Sequence, residues 1–368
     1  MKIAIISKSC WNIYNFRKLL ILKLIKKGSE VIVFSKGDNC TEKLINMGCK
    51  FIEINFKNRN LNPIYDFFNF ISIYRNLKKN NINFILSFNI KPIILSGLAS
   101  QILKIKNISM ITGLGTAFEK KNIIQKISLF LYKVSLKNIY LVLFQNHDDF
   151  NYFRINKIIS EKNYNFTPGS GVDVNYFHYS DYTIKKNYTF LLLTRLLWSK
   201  GIKEYCEAAE IIKKKYIKTE FLLVGPFEKK DSNEVSINFI NKYINQNFIK
   251  YINFIDDVKT VIIKSDCAVL PSYREGTPKF LLEAISMGKP IITTNSPGCK
   301  EVVEEDKNGF LCKIKNSKDL ADKIEKFILL DVDKKIEMSR YSREIAINKF
   351  DENFVVNIYL NHLGIDNL

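Results

Sequence analysis

The feature that most constrains this chain is a strand–helix alternation that runs through its first half and then begins again. Short β-branched and aromatic runs at residues 3–6, 31–34, 51–54, 84–88, 108–111, 141–144 and 164–166 are separated by helical patterns such as 16–27, 64–79 and 93–103. The second half repeats the plan. Strands are expected at 190–193, 221–224, 249–254, 267–270, 291–293 and 310–313, and helices at 202–215, 280–287 and 320–328. Strands that alternate with helices form parallel βαβ units, and near-continuous apolar runs belong to strands covered on both faces. The expected fold class is therefore α/β, with two doubly wound, Rossmann-like domains. A chain of 368 residues has the length for two such domains. The expected division is 1–177, 178–350 and a tail at 351–368 that is helical and returns towards the first domain. The aperiodic stretch 168–187, rich in Gly, Asn, Ser and Tyr, reads as the linker. Two such domains facing each other would bind ligands in the cleft at the carboxyl ends of their strands.

Charge is unevenly spread over these halves. Residues 1–177 carry 26 Lys and Arg against 10 Asp and Glu, whereas the remainder carries 30 against 27. A compositional bias towards Lys would raise both halves alike. The basic first half therefore points to an anionic partner such as lipid headgroups, a lipid diphosphate or nucleic acid, although a solvated Lys-rich surface gives the same excess. Nucleic acid is disfavoured, because no interleaved aromatic–basic motif or known module is present. The seven cysteines are odd in number and form no C-x-x-C pair, as expected of idle thiols in a reducing compartment. No signal peptide or membrane-spanning run is evident. The most apolar–basic stretch, 123–137, sets Ile123, Ile127, Phe130 and Val134 on one helical face with Lys126, Lys133 and Lys137 nearby. That is the composition of an interfacial helix, and also of an ordinary core-packed one.

The chemistry-bearing signal lies in PSYREGTPKFLLEAISMGKPIITTNSPGCKEVV, residues 271–303. Glu275 and Glu283 are eight apart, the first near the mouth of a strand and the second inside the following helix. Gly276 frees the backbone for close approach of a ligand. Pro278 suits a first helical turn, and the amides of Lys279 and Phe280, with Thr277 before them, would offer an anion site at the helix N-terminus. Upstream, TRLLWSKG at 194–201 brings Arg195 and Lys200 to the same sheet edge. Two fixed cations and helix amides would stabilise a diphosphate where its charge develops.

In the order Arg195-x-x-x-x-Lys200 and then Glu275 and Glu283, the chain resembles the GT4 family of retaining GT-B glycosyltransferases. The first half resembles it too, in WNIYNFR (11–17), FNIKP (88–92), ITGLGTAFE (111–119) and GSGVD (169–173). Within that family the likeness is to transferases that extend a sugar on undecaprenyl pyrophosphate in bacterial N-glycan assembly, and to O-antigen and capsule transferases. The resemblance implies that Glu275, Arg195 and Lys200 are catalytic, with Glu275 on the donor sugar and the two cations on its diphosphate. It gives Glu283 to the ribose hydroxyls, and Gly276, Thr277, Lys279, Phe280 and Asn15 to donor binding. Asn15 and Arg17 are expected in a first-domain loop that closes over donor and acceptor, and Arg17, Asn89, Lys91, Gly113 and Gly115 are the acceptor-side candidates. Asn253 stands where such enzymes often have glycine before the base-binding loop. No cofactor is expected: the nucleotide sugar, taken as a UDP-N-acetylhexosamine, is a substrate, and no metal is implied.

Three weaker signals point elsewhere. Gly113-Leu114-Gly115 lacks both the third glycine, where Phe118 stands, and the later acid, where Lys133 stands, so it is not a dinucleotide fingerprint. Asp331-Val332-Asp333 reads as a turn or cap. His147, His178 and His362 are scattered, which supports no metal cluster. The expected protein is a peripheral transferase on the cytoplasmic face of the membrane. Its partners would be a nucleotide sugar, a polyprenyl-pyrophosphate-linked saccharide and an anionic membrane surface. Another donor sugar, a lipopolysaccharide-core acceptor, or nucleotide-sugar epimerisation are the alternatives.

Overall fold

The structure, a computed structural model, describes residues 1–56, 62–114, 123–159, 162–182, 187–227 and 233–365. The chain forms two compact units, Met1–Ser170 with Glu352–Leu368, and Gly171–Asp351.

In the first unit seven strands run β1 (Lys2–Ile6), β2 (Glu30–Ser35), β3 (Lys50–Glu53), β4 (Phe84–Phe88), β5 (Lys106–Ile111), β6 (Leu141–Phe144) and β7 (Tyr164–Phe166). They make one sheet in the order β3-β2-β1-β4-β5-β6-β7, parallel throughout. The central strands are apolar on both faces because helices cover both. Ile3, Ile5, Val31 and Leu86 pack towards α1 (Cys10–Lys26) and α13 (Glu352–Leu363). Ala4, Ile6, Phe34 and Ile85 pack towards α3 (Pro63–Lys79) and α4 (Ile90–Leu103). The helix α4 lies between α3 and α5 (Ile123–Ser135) in that layer. The chain's last helix thus completes the core of its first unit, burying Val355, Val356, Tyr359, Leu360 and Leu363.

The second unit repeats the design. Its strands are β8 (Thr189–Leu193), β9 (Glu220–Val224), β10 (Lys250–Ile252), β11 (Cys267–Leu270), β12 (Ile291–Thr294) and β13 (Gly309–Cys312), ordered β10-β9-β8-β11-β12-β13 and all parallel. One buried cluster joins this sheet to α7 (Ile202–Lys215), α10 (Lys279–Ser286), α11 (Ser317–Leu329) and α12 (Val332–Lys349).

The first boundary, 170/171, falls earlier than the expected 177/178, whereas the second, 351/352, lies one residue from the expected 350/351 and the helical tail returns to the first unit. Residues of the presumed linker are packed, not loose: Val172, Val174 and Phe177 are buried in the second unit's core, and the Val172 amide donates to the Phe350 carbonyl at 2.8 Å. Helix α1 also starts earlier than the period suggested. Ser9 is its N-cap and accepts from the Asn12 amide, so Asn15 and Arg17 sit on helix and not in a loop. Asp331 of the D-x-D spacing is the N-cap of α12, accepting from the Lys334 amide at 2.6 Å. All seven cysteines are free and buried.

Candidate active site

Each sheet reverses its strand order once, between β1 and β4 in the first unit and between β8 and β11 in the second. Such reversals splay the following helices to opposite faces and open a crevice at the strand ends. In the second unit the segments after β8 and β11 carry the predicted residues. The Lys200 ammonium meets the Glu275 carboxylate at 2.5 Å, both side chains largely shielded. The two segments are joined directly as well: the Ser199 carbonyl accepts from the Tyr273 amide at 2.9 Å and from the Ser272 hydroxyl at 3.2 Å.

Two glycines permit this closeness. Gly201 has φ +73°, and a Cβ there would lie 2.1 Å from the Pro271 carbonyl oxygen. Gly298 has φ +81°, and its Cβ would fall 2.3 Å from the Glu275 carbonyl. Any other residue would both strain the backbone and push these segments apart. The Glu275 amide, in turn, donates to the Pro297 carbonyl at 2.9 Å. Arg195 is exposed at the end of β8, with no ion-pair partner among the described residues.

Pro278 is the N-cap of α10 rather than its first helical residue, so the helix begins at Lys279. Pro278, Gly276 and Phe280 are buried, and Phe280 belongs to the core through its side chain, which leaves its backbone as the part that can face a ligand. Glu283 is one turn further on and 8% exposed. Burial pushes its carboxyl up to about 7, with Lys279 working against the shift and Asp257 adding to it. At the third strand end, Asn253 accepts from the Phe227 amide at 2.9 Å and from the Tyr251 hydroxyl at 3.1 Å, which fixes the segment after β10.

The first unit's candidates divide. Asn89 ends β4 at the reversal point with φ 71° and ψ 155°, a region nearly reserved for glycine. Its carboxamide oxygen accepts from the Ser7 hydroxyl at 2.8 Å and the Lys8 amide at 3.3 Å, which ties the ends of β1 and β4 together. Lys91, in the first turn of α4, is paired with Asp66 of α3 at 3.0 Å. Gly113 has φ +101° just after β5, and Gly115 lies outside the described residues. Arg17 departs from expectation. It is 4% exposed, its guanidinium stacked 4.3 Å over Phe88 and donating to the Phe16 carbonyl and the Met110 sulfur. Its place on the buried face of α1 turns it inward, and desolvation depresses its basicity. Asn15 donates to the Trp11 carbonyl along the same helix.

Sequence reasoning missed Tyr273 and Glu204, which join the same strand ends. The Tyr273 hydroxyl donates to Glu204, in the first turn of α7, at 2.8 Å. The tyrosine was legible as part of the PSYREG segment, but nothing in the sequence marked Glu204 as its partner.

Residues 180–345 match the family model "Glycosyl transferases group 1", and residues 2–146 match "Glycosyl transferase 4-like". The chain is 29% identical, over 98% of its length and 97% of the relative's, to the Campylobacter jejuni N,N'-diacetylbacillosaminyl-diphospho-undecaprenol alpha-1,3-N-acetylgalactosaminyltransferase. It is 26% identical to the Escherichia coli UDP-Gal:alpha-D-GlcNAc-diphosphoundecaprenol alpha-1,3-galactosyltransferase, over 80% of this chain and 78% of that one. Among solved structures, Anabaena HepE in complex with UDP superimposes with a TM-score of 0.81 at 17% identity, covering 99% of this chain and all of the other.

Proposed function

The chain is a glycosyltransferase of the GT-B fold, built from a glycosyl transferase 4-like domain and a group 1 domain, and we propose that it moves an N-acetylhexosamine from UDP to a saccharide carried on a polyprenyl diphosphate. The observation that carries the reading is the Lys200–Glu275 pair, held at the strand reversal beside the N-terminus of α10. Both relatives named above act, by their names, on diphospho-undecaprenol-linked sugars, and one of them takes its sugar from UDP.

On this reading the donor's diphosphate lies between Lys200, Arg195 and the first amides of α10, with no metal required. Those cations take up the charge that develops as the bond from the anomeric carbon to phosphate breaks. The acceptor hydroxyl oxygen bonds to that carbon from the same face, and its proton passes to the leaving phosphate. Glu275 orients the donor sugar, and Glu283 accepts from the ribose hydroxyls. In the first unit, Asn89, Lys91 and Gly113 are the described acceptor-side candidates that remain partly accessible.

Meeting a polyprenyl-linked acceptor calls for a membrane surface, and no helix among the described residues is long and apolar enough to cross one. The surface of α5 supports peripheral docking at the cytoplasmic face. Ile123, Ile127, Phe130 and Val134 are all exposed, whereas Tyr132 on the opposite side is buried. Lys126, Lys133 and Lys137 are exposed around them, and α3 adds exposed Ile64, Phe67 and Phe68 to the same helical layer. An apolar face rimmed by lysines fits an anionic interface.

The test is a screen of UDP-sugars with short-chain polyprenyl-diphosphate saccharides, reading UDP release and product mass. A UDP-N-acetylhexosamine is expected to give acceptor-dependent release. Isomerised UDP-sugar without transfer would instead identify an epimerase.

A further inference from the structure

Glu204 is 4% exposed, and only one of its oxygens has a partner: Tyr273 donates to Oε1 at 2.8 Å, and Oε2 is buried without a hydrogen bond. A carboxylate held this way is costly, and an apolar side chain of similar size would fill the space without that cost. Burial, and then the hydrogen bond and charge of Glu204, push the Tyr273 hydroxyl well above its ordinary pKa, so it remains a donor. Lys315, from the segment after β13, lies 5.0 Å over the Tyr273 ring and closes the site from a third side.

The pair spans two segments with opposite ends of one task. Glu204 sits three residues beyond Gly201, which follows Lys200, and Tyr273 stands two residues before Glu275. We propose that Glu204 and Tyr273 are positioning residues, a brace that keeps Glu275 set against Lys200 when the donor is bound. This rests on the roles of Glu275 and Lys200 proposed above. The ion pair itself cannot serve as that brace. An incoming diphosphate brings further negative charge to the same ammonium, competes with Glu275 for it, and loosens the link between the segments. The Tyr273–Glu204 bond is part-buried, involves neither the ammonium nor the donor, and survives that competition together with the bonds from Ser272 and Tyr273 to the Ser199 carbonyl.

The experiment compares Tyr273→Phe, Glu204→Leu, their combination, Glu204→Gln and a Glu275→Gln control. Thermal unfolding, UDP affinity and kcat are read for each. Tyr273→Phe alone strands the carboxylate and lowers the unfolding temperature, while the combination, with both polar partners gone, regains it. In the combined variant kcat is expected to stay roughly tenfold or more below wild type although stability has returned, because small misplacement of a reacting group is expensive in rate. UDP affinity should change by less than about twofold, since the brace touches neither phosphate nor base. Glu204→Gln keeps a carbonyl acceptor and is expected to recover most of the kcat lost in Glu204→Leu. Wild-type kcat in the stable combined variant, alongside an inactive Glu275→Gln, would overturn the brace and leave the site reading intact. Full turnover in Glu275→Gln would overturn the site reading and the brace with it. If the combination does not fold, kcat of Tyr273→Phe measured well below its unfolding temperature decides, with wild-type turnover overturning the proposal.

Discussion

Glu275 and Glu283 share one short segment but face different surroundings, and the difference is chemical. Glu275 is neutralised by Lys200 at 2.5 Å, whereas Glu283 is buried near Asp257 and pushed up to about 7. Removing either member of the Lys200–Glu275 pair by Glu275→Gln or Lys200→Ala is expected to lower kcat on the order of 10²-fold with the fold intact, as checked by circular dichroism and steady-state rates. Wild-type turnover in both variants would end the assignment. For Glu283 the consequence is a pH dependence. An unfolded carboxyl gives up its proton near 4.5 and the folded one near 7, so between these values the native state holds the extra proton and stability falls as pH rises. Relative to Glu283→Gln, the wild type without nucleotide should lose on the order of 3 kcal/mol between pH 4.5 and 8. Parallel denaturation curves for the two proteins across that range would refute it. Ribose hydroxyls donating to Glu283 favour its ionised form, so UDP binding near pH 6.5 should release protons, visible as a buffer-dependent enthalpy in calorimetry.

The strands were legible in the sequence because parallel strands covered on both faces must be apolar along their length, as 84–88, 141–144 and 267–270 are. The helices were less so. The start of α1 was missed because WNIYN shows no apolar period, and only the Ser9 cap reveals it. Helix α12 was missed because polar residues interrupt its buried face: Lys335, Ser339 and Ser342 are buried beside Met338, Ile345 and Ala346, and Lys335 donates to the Tyr188 hydroxyl and to the Ile328 and Leu330 carbonyls at the end of α11. A lysine used to satisfy another helix's last carbonyls cannot be told from a solvated one by pattern alone. The residues of the second-unit site were legible because local turn chemistry dictates them. Arg17 was not, because its burial depends on Phe88 and Met110, far away in the chain. Helix α5 carries a prediction of its own. Its period left open whether the apolar face packs inward, and the structure turns that face outward. Replacing Lys126, Lys133 and Lys137 with Glu is expected to weaken sedimentation with anionic vesicles, each basic residue near such a surface being worth about 1 kcal/mol. It should spare transfer to a short-chain acceptor. Unchanged vesicle binding would reduce α5 to ordinary surface.

At the scale of the whole molecule, the proposed cation set of Arg195, Lys200 and the α10 amides would supply the charge that a metal otherwise provides. Exhaustive EDTA dialysis is accordingly expected to leave transfer within about twofold of the untreated rate. A loss restored only by manganese or magnesium would contradict this. The other molecular-scale feature is the return of α13. Residues 1–170 supply the whole first sheet, yet the core beneath it lacks Val355, Tyr359 and Leu360 until the last helix arrives. During synthesis the intervening stretch takes roughly 10 to 40 s to make at about 5–20 residues per second. Through that interval the first unit is exposed to the cell with part of its apolar surface uncovered, while the second unit, Gly171–Asp351, is contiguous and can close as it emerges. Birth order and completion order are therefore reversed: the half made first should be the half finished last, and the one that chaperones hold. A released chain truncated after Asp351 should be cleaved by protease within residues 1–170 and protected beyond them, and the full chain should remove the difference.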